Sequence, residues 1–216
     1  MSFMTKIKSK YIMRLADRLA EHDPILARDL KMLVAGATNT PHSRPTITLG
    51  SLSSALTIVT DELNKAKITF ALAGGLAVKY WVDIRETLDV DLILHTEDIE
   101  KVKRIFPKGR DLPLMYTIRI QGTDIDFIKG DLFDWADKAL ASAKETQSFG
   151  IKLKLVSPEY LILFKFRAAR ERDLNDIKGL LSLKGVAEKS RLLVNEYMPE
   201  DIDDLEQLIR EVEYGV

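Results

Sequence analysis

Hydrophobic positions at the amino end recur at helical spacing: Ile7, Tyr11, Leu15 and Leu19 fall near one face, and Asp23-Pro24 supplies a stop and restart signal. Two helices are therefore expected between about residues 5 and 35. The polar stretch Ala37 to Thr46, with Pro41 and Pro45, carries no period and reads as a loop. A third helix is expected from Ser51 or Ser53 to about Asn64, with Leu52, Ala55, Leu56, Val59 and Leu63 on its buried stripe. The period then changes. Ile68 to Ala73 is a short apolar strand, Gly74-Gly75 interrupts it, and Leu76 to Trp81 fits a short helix. Leu88 to Leu94 alternates in strand fashion, and Thr96 is placed to cap a helix running to about Phe106. Met115 to Ile120 and Asp124 to Ile128 predict a hairpin turning at Gln121-Gly122-Thr123. A helix over about Leu132 to Ala143, a strand at Ile151 to Leu155, and a helix opened by Ser157-Pro158-Glu159 follow. Helices continue to about Glu213, with breaks near Gly185 and Met198-Pro199.

Strand alternation gives the acidic residues meaning. In Arg85-Glu86-Thr87-Leu88-Asp89-Val90-Asp91-Leu92-Ile93-Leu94, the leucines and Val90 share one face while Asp89 and Asp91 project from the other. Two neighbouring carboxylates repel unless a cation or a shared proton relieves them, and magnesium or manganese suits hard oxygen ligands. In Gly122-Thr123-Asp124-Ile125-Asp126-Phe127-Ile128 the same alternation puts Asp124 and Asp126 on one face. If the two strands are neighbours, Asp126 completes a triad able to hold divalent ions, whereas Asp124, nearer the turn, reads as an exposed acid. Gly74-Gly75 allows close approach of backbone to a phosphate at a helix start, although such a pair alone is most often a simple turn. Lys165 has Leu161, Ile162, Ala168 and Ala169 as its helix neighbours, so a cation sits on an apolar face. It either snorkels to the rim or reaches a cleft where triphosphate oxygens would meet it. Arg172-Asp173-Leu174-Asn175-Asp176 is read either as a set of salt-bridge partners orienting that lysine or as a solvated charged face.

Composition narrows the class. The chain has 216 residues, 46% apolar and 30% charged, which fits a globular protein of one domain or one domain with an appendage. No apolar run approaches the roughly 20 residues of a membrane span, the first residues lack a secretory pattern, and there is no cysteine, so a cytoplasmic, disulfide-free protein is expected. Net charge is −1, yet the amino end is basic and residues 200–213 are acidic. Basic clusters of this kind attract phosphate backbones or simply solvate helix faces. His22, His42 and His95 show no metal-ligand spacing, and neither a Gly-x-Ser-x-Gly elbow nor a Walker-type loop is present.

The order Gly-Gly, Arg-x-Thr-x-Asp-x-Asp, a later strand Asp, then a helix with Lys followed by Arg-Asp-x-x-Asp resembles the nucleotidyltransferase superfamily built on the polymerase-beta catalytic core, and within it the AbiEii-type toxin branch. The resemblance spans roughly Ile68 to Asp176. It implies an α+β fold with a small mixed sheet flanked by helices, a nucleotidyltransferase core over 51–156 and a helical region over 157–216 that completes the cleft; residues 1–50 match no part of the shared core and are expected, from their helical spacing, to form an amino-terminal helical extension. It also implies transfer of a nucleoside monophosphate from a nucleoside triphosphate to an acceptor hydroxyl, with two magnesium (or manganese) ions held by Asp89, Asp91 and Asp126. Asp126 would help deprotonate the acceptor. Gly74, Gly75 and Thr87 would line the triphosphate path, with Arg85 and Lys165 offsetting its charge. The acceptor implied first is the 3′ end of a transfer RNA, in a toxin paired with a cognate antitoxin. A protein hydroxyl and a small antibiotic-like molecule remain open, as do a non-catalytic binding module and an antitoxin-type enzyme that modifies a partner protein.

Overall fold

Seven strands form one mixed sheet in the computed structural model of the chain, which describes residues 49–84, 87, 89–148, 151–168 and 171–215. The two helices and the loop expected before residue 47 lie outside the described residues, as does Arg85. In chain order the elements are α1 (Leu49–Lys65), β1 (Phe70–Ala73), α2 (Gly74–Trp81), β2 (Val90–Leu94), α3 (Ile99–Ile105), β3 (Arg110–Asp111), β4 (Met115–Ile120), β5 (Thr123–Lys129), α4 (Ala136–Ala141), β6 (Lys144–Ser148), β7 (Ile151–Leu155), α5 (Pro158–Ala168), α6 (Glu171–Leu181), α7 (Val186–Tyr197) and α8 (Ile202–Tyr214). The sheet order is β3-β4-β5-β2-β1-β7-β6. Pairing is parallel between β2 and β5 and between β1 and β7, and antiparallel elsewhere. This is the mixed sheet flanked by helices that the motifs imply.

Residues paired across neighbouring strands share a face, so register sorts the sheet into rows. Leu72, Leu92, Phe127 and Tyr116 form one row, and Val90, Ile125 and Ile118 another on the same face; all seven are buried. Phe106, at the end of α3, stacks on Phe127 with ring centroids 6.0 Å apart. Helix α1 buries the stripe expected of it, Leu52, Ala55, Leu56, Val59 and Leu63, against the sheet. On the opposite face, α2 and α5 pack against one another, and the indole Nε1 of Trp81 donates to the Val156 carbonyl at 3.0 Å, joining the end of α2 to the approach to α5.

Several expectations need correction. Thr96 does not cap a helix: it opens a 3-10 turn over Thr96–Asp98, and its Oγ1 instead accepts the Asp131 amide at 3.2 Å. The helix expected over Leu132 to Ala143 is shorter, a 3-10 turn at Gly130–Leu132 followed by α4, because Phe133 and Trp135 turn inward to meet Phe164. Strands β3 and β6 were not anticipated. Both lie at the sheet edges, and Arg110-Asp111 and Lys144-Glu-Thr-Gln-Ser have no apolar alternation, since one neighbour's backbone suffices to hold an edge strand.

Helix α5 is buried over most of its length, Lys165 included at 2% exposure. Its Nζ donates to Asp173 Oδ1 at 2.9 Å and to Asp176 Oδ2 at 2.5 Å, and both carboxylates, three residues apart on α6, are fully buried. Of the two readings of this charged segment, the solvated face is therefore excluded for Asp173 and Asp176. Removing the cation would leave two desolvated carboxylates facing each other. Lys165→Met is expected to cost about 3–5 kcal/mol in urea-induced unfolding. Adding Asp173→Asn and Asp176→Asn to that variant should recover part of the loss, because the buried repulsion is then gone.

Candidate active site

The row beside the apolar one on the α2 and α5 face is polar. Register places Ala73, Asp91, Asp126 and Thr117 abreast on β1, β2, β5 and β4. Parallel neighbours stand about 4.8 Å apart, so Asp91 and Asp126 are side by side by backbone geometry alone. Asp89 immediately precedes β2, and Asp124 lies two residues before Asp126 on β5. Asp91 and Asp126 are thus paired in register, with Asp89 and Asp124 close enough that their charges act on the Asp126 carboxyl. The hairpin answers them from β4. Thr117 Oγ1 donates to Asp126 Oδ1 at 2.6 Å, and Arg119 lies 3.6 Å from Asp124. Asp124, with that partner at the hairpin end, fits the reading of a rim acid.

Burial is the largest influence on Asp126 and raises its carboxyl above the ordinary aspartate range. The Thr117 hydrogen bond opposes this, repulsion from Asp89 and Asp124 adds to the rise, and the Arg110 charge opposes it weakly. Because the folded-state value is raised, the fold favours the protonated acid. That contribution to stability is full below the ordinary aspartate pKa and is lost as pH rises past the raised value.

Gly74 has a role different from the one its sequence predicts. It lies in the left-handed region at φ +60°, and a Cβ built there would stand 1.7 Å from Asp91 Oδ2 and 2.4 Å from its Cγ. Close approach is indeed the reason for glycine, but what approaches is the Asp91 carboxylate, seated where a side chain would be. Helix α2 begins at this residue with no side-chain cap, since Ala73 precedes it.

Gly74, Asp91, Asp126 and Lys165 line one cleft of about 320 Å³ between the sheet and α5. Asp89 stands at its edge, half-buried and near enough to Asp126 for their charges to repel. Among the described residues, Gly75, buried in α2, and Thr87, half-buried, do not line it. Lys165 reaches the cleft with its amine already bonded to Asp173 and Asp176, so it is neither a rim lysine nor an unshared cation. Sequence reasoning did not single out Thr117 or Arg167. Arg167 also lines the cleft, its guanidinium 5.1 Å from the Trp135 ring centroid. Thr117 was legible only through hairpin register, and Arg167 carries no distinguishing local pattern.

The donor set fits a divalent cation. Two hard carboxylates in register, a third acid next to them, and a cradle at Gly74 that any side chain would fill form an oxygen-only site. The oxygens are spread more widely than a closed ligand cage. Among the described residues, the group of three possible ligands lying within 4.8 Å of one another is His95, Asp131 and Asp137 instead. His95 has Nδ1 3.3 Å from Asp137 and 3.9 Å from Asp131. That group is largely exposed and lies past the far end of β2, about 13 Å along an extended chain from Asp91. It is separate from the cleft.

No family model matches the chain, and no curated protein does. Similar solved structures include a putative nucleotidyltransferase from Thermotoga maritima, 18% identical over 72% of this chain and 99% of that one, TM-score 0.47. A lincosamide antibiotic adenylyltransferase with lincomycin bound is 19% identical over 63% of this chain and 98% of that one, TM-score 0.46. An antigenic nucleotidyltransferase-like protein from Paracoccidioides brasiliensis is 18% identical over 74% of this chain and 94% of that one, TM-score 0.44. At such identities and TM-scores the chemistry of this chain rests on its own residues.

Gly74→Ala should displace Asp91 and abolish the magnesium-induced rise in melting temperature expected of the unaltered protein. Asp126→Asn removes a penalised charge while its amide oxygen can still accept from Thr117. In chelator-treated buffer at neutral pH, it is expected to raise the melting temperature by about 2–4 °C, the shift expected for roughly 1 kcal/mol in a chain of this size. The difference should vanish as pH falls into the aspartate range, where Asp126 itself is protonated.

Proposed function

We propose that this chain is a metal-dependent nucleotidyltransferase that moves a nucleoside monophosphate from a nucleoside triphosphate to an acceptor hydroxyl. The observation that carries the reading is the register of β2 and β5, which sets Asp91 beside Asp126 with Asp89 one step away. Carboxylates held at strand spacing repel one another, and a bound divalent cation would favour their charged forms. Bound by Asp89, Asp91 and Asp126, magnesium or manganese would neutralise charge on the triphosphate and on the attacking oxygen.

The remaining roles belong to the chain. Asp126, with its raised proton affinity, takes the proton of the acceptor hydroxyl as that oxygen bonds to the α phosphorus. The bond from the α phosphorus to the bridging oxygen breaks, and pyrophosphate leaves. Thr117 holds one Asp126 oxygen and so fixes which oxygen faces the acceptor. Gly74 keeps the start of α2 close to Asp91, with Gly75 and Thr87 assigned by the resemblance to the triphosphate path. Lys165, together with Arg85, is assigned to the charge of the triphosphate. Since its amine has two carboxylate partners, it meets a phosphate oxygen only by exchanging one of them. The helical region from residue 157 supplies the cleft's second wall through α5.

An RNA 3′ end as acceptor, and a toxin paired with an antitoxin, stand on the AbiEii resemblance. Incubation with each α-labelled triphosphate and total RNA, followed by incubation with protein lysate, identifies which macromolecule gains label. The double variant Asp89→Ala/Asp91→Ala is expected to lose transfer by at least about 10²-fold with an unchanged circular dichroism spectrum. Undiminished transfer would exclude this mechanism, and absence of transfer in the unaltered protein with triphosphate still bound would favour a non-catalytic binding module.

A further inference from the structure

The cleft is graded, and the gradient is written in the register. On the face that carries Asp126, the next row toward the carboxyl end of β5 is Ile93, Ile128 and Met115, apolar throughout. Ile128 and Met115 line the cleft, and Leu114, Phe133 and Phe164 join them. The two rings meet edge to face, with centroids 5.1 Å apart, and are about nine-tenths buried, so they form a firm surface. One step from the acidic row, the cleft therefore turns apolar.

Direction across the sheet separates the two substrates. Gly74 and the start of α2 stand beside β2 on the β1 side, and the triphosphate path is assigned there. Asp126 is one strand further on, and its other neighbour is β4, which contributes Thr117 and then Met115. A hydroxyl delivered to Asp126 from that side brings the body attached to it onto Met115, Ile128 and Leu114.

Resting on the transferase reading above, we propose that the acceptor is a small alcohol with an apolar or aromatic body next to the reacting hydroxyl. An RNA terminus is a poor match, because its reacting hydroxyl lies within a few bonds of a phosphodiester. A phosphate there would face aliphatic side chains and the carboxylates of Asp124 and Asp126, and the cations on this side are Arg110, exposed on edge strand β3 beyond Thr117, and Arg119, 3.6 Å from Asp124. Lys165 is bonded to Asp173 and Asp176. Arg167 lies over Trp135 and donates to the Tyr197 carbonyl at 3.5 Å. A cleft of about 320 Å³ is also at the small end of ligand pockets.

The test uses the full chain with magnesium and a non-hydrolysable α,β-methylene analogue of each triphosphate, in saturation-transfer NMR titrations. Two acceptor probes are compared, 2-naphthaleneethanol and the trinucleotide CCA. Expected is saturable binding of the naphthyl alcohol, tighter than that of the trinucleotide. Met115→Lys should weaken it at least tenfold while nucleotide affinity changes less than twofold. Ile128→Gln, a milder change, should weaken it in the same sense, and thermal melts confirm that both variants are folded. Tighter binding of the trinucleotide, or binding of the alcohol that neither variant affects, overturns the proposal. So does failure of the alcohol to bind when nucleotide binds. Failure of every nucleotide analogue to bind in the same samples overturns the transferase reading instead, which separates the two.

Discussion

Parallel pairing of β2 with β5 is the constraint from which the rest of this molecule follows. Once the two strands run side by side with Asp91 level with Asp126, like charges are forced together at strand spacing, and neighbouring features can be understood as a response. Thr117 donates to one oxygen of Asp126, Arg119 faces Asp124, and Gly74 withdraws its side chain to leave space for Asp91. Burial above all, with repulsion from Asp89 and Asp124 adding to it, raises the proton affinity of Asp126. A carboxyl so placed is a poor contributor to stability and a good ligand or base, the usual conflict between a site and its scaffold.

The second carboxylate cluster resolves the same problem differently. Asp173 and Asp176 are more deeply buried than the sheet acids, but a lysine from the adjacent helix is bonded to both. The trio ties α5 to α6 just behind the cleft, with a cation and its partners arranged in advance. The two clusters thus differ in setting: one encloses a cation behind the wall, and the other, in front of it, lines the cleft. Between them, Phe133 and Phe164 give the wall its rigidity, continued by Trp135 and by Arg167 over that ring.

Much of this was legible because alternation and turn chemistry are local. The strand around Asp91, the hairpin turning at Gly122, the stripe of α1 and the breaks at Gly185 and Pro199 stand within a residue or two of where the pattern puts them. Edge strands β3 and β6 escaped because their residues are polar and leave no apolar period. Thr96 misled because a hydroxyl before an acidic turn has the form of a cap, whereas its oxygen is taken by a backbone amide 35 positions away. The carboxylates beside His95 were not legible either, because Asp131 and Asp137 come to it through the fold and not along the chain.

By itself, then, the sequence determined which side chains carry charge, which face of each strand they share, and that Gly74-Gly75 ends the strand before α2. Those are consequences of a two-residue strand period and of backbone sterics, which act between near neighbours. Only the tertiary structure decided that Asp91 is level with Asp126, that Lys165 belongs to Asp173 and Asp176, and that the acidic row borders an apolar one. Such pairings depend on strand order and register, which are selected by burying many rows at once, and no single segment contains that information.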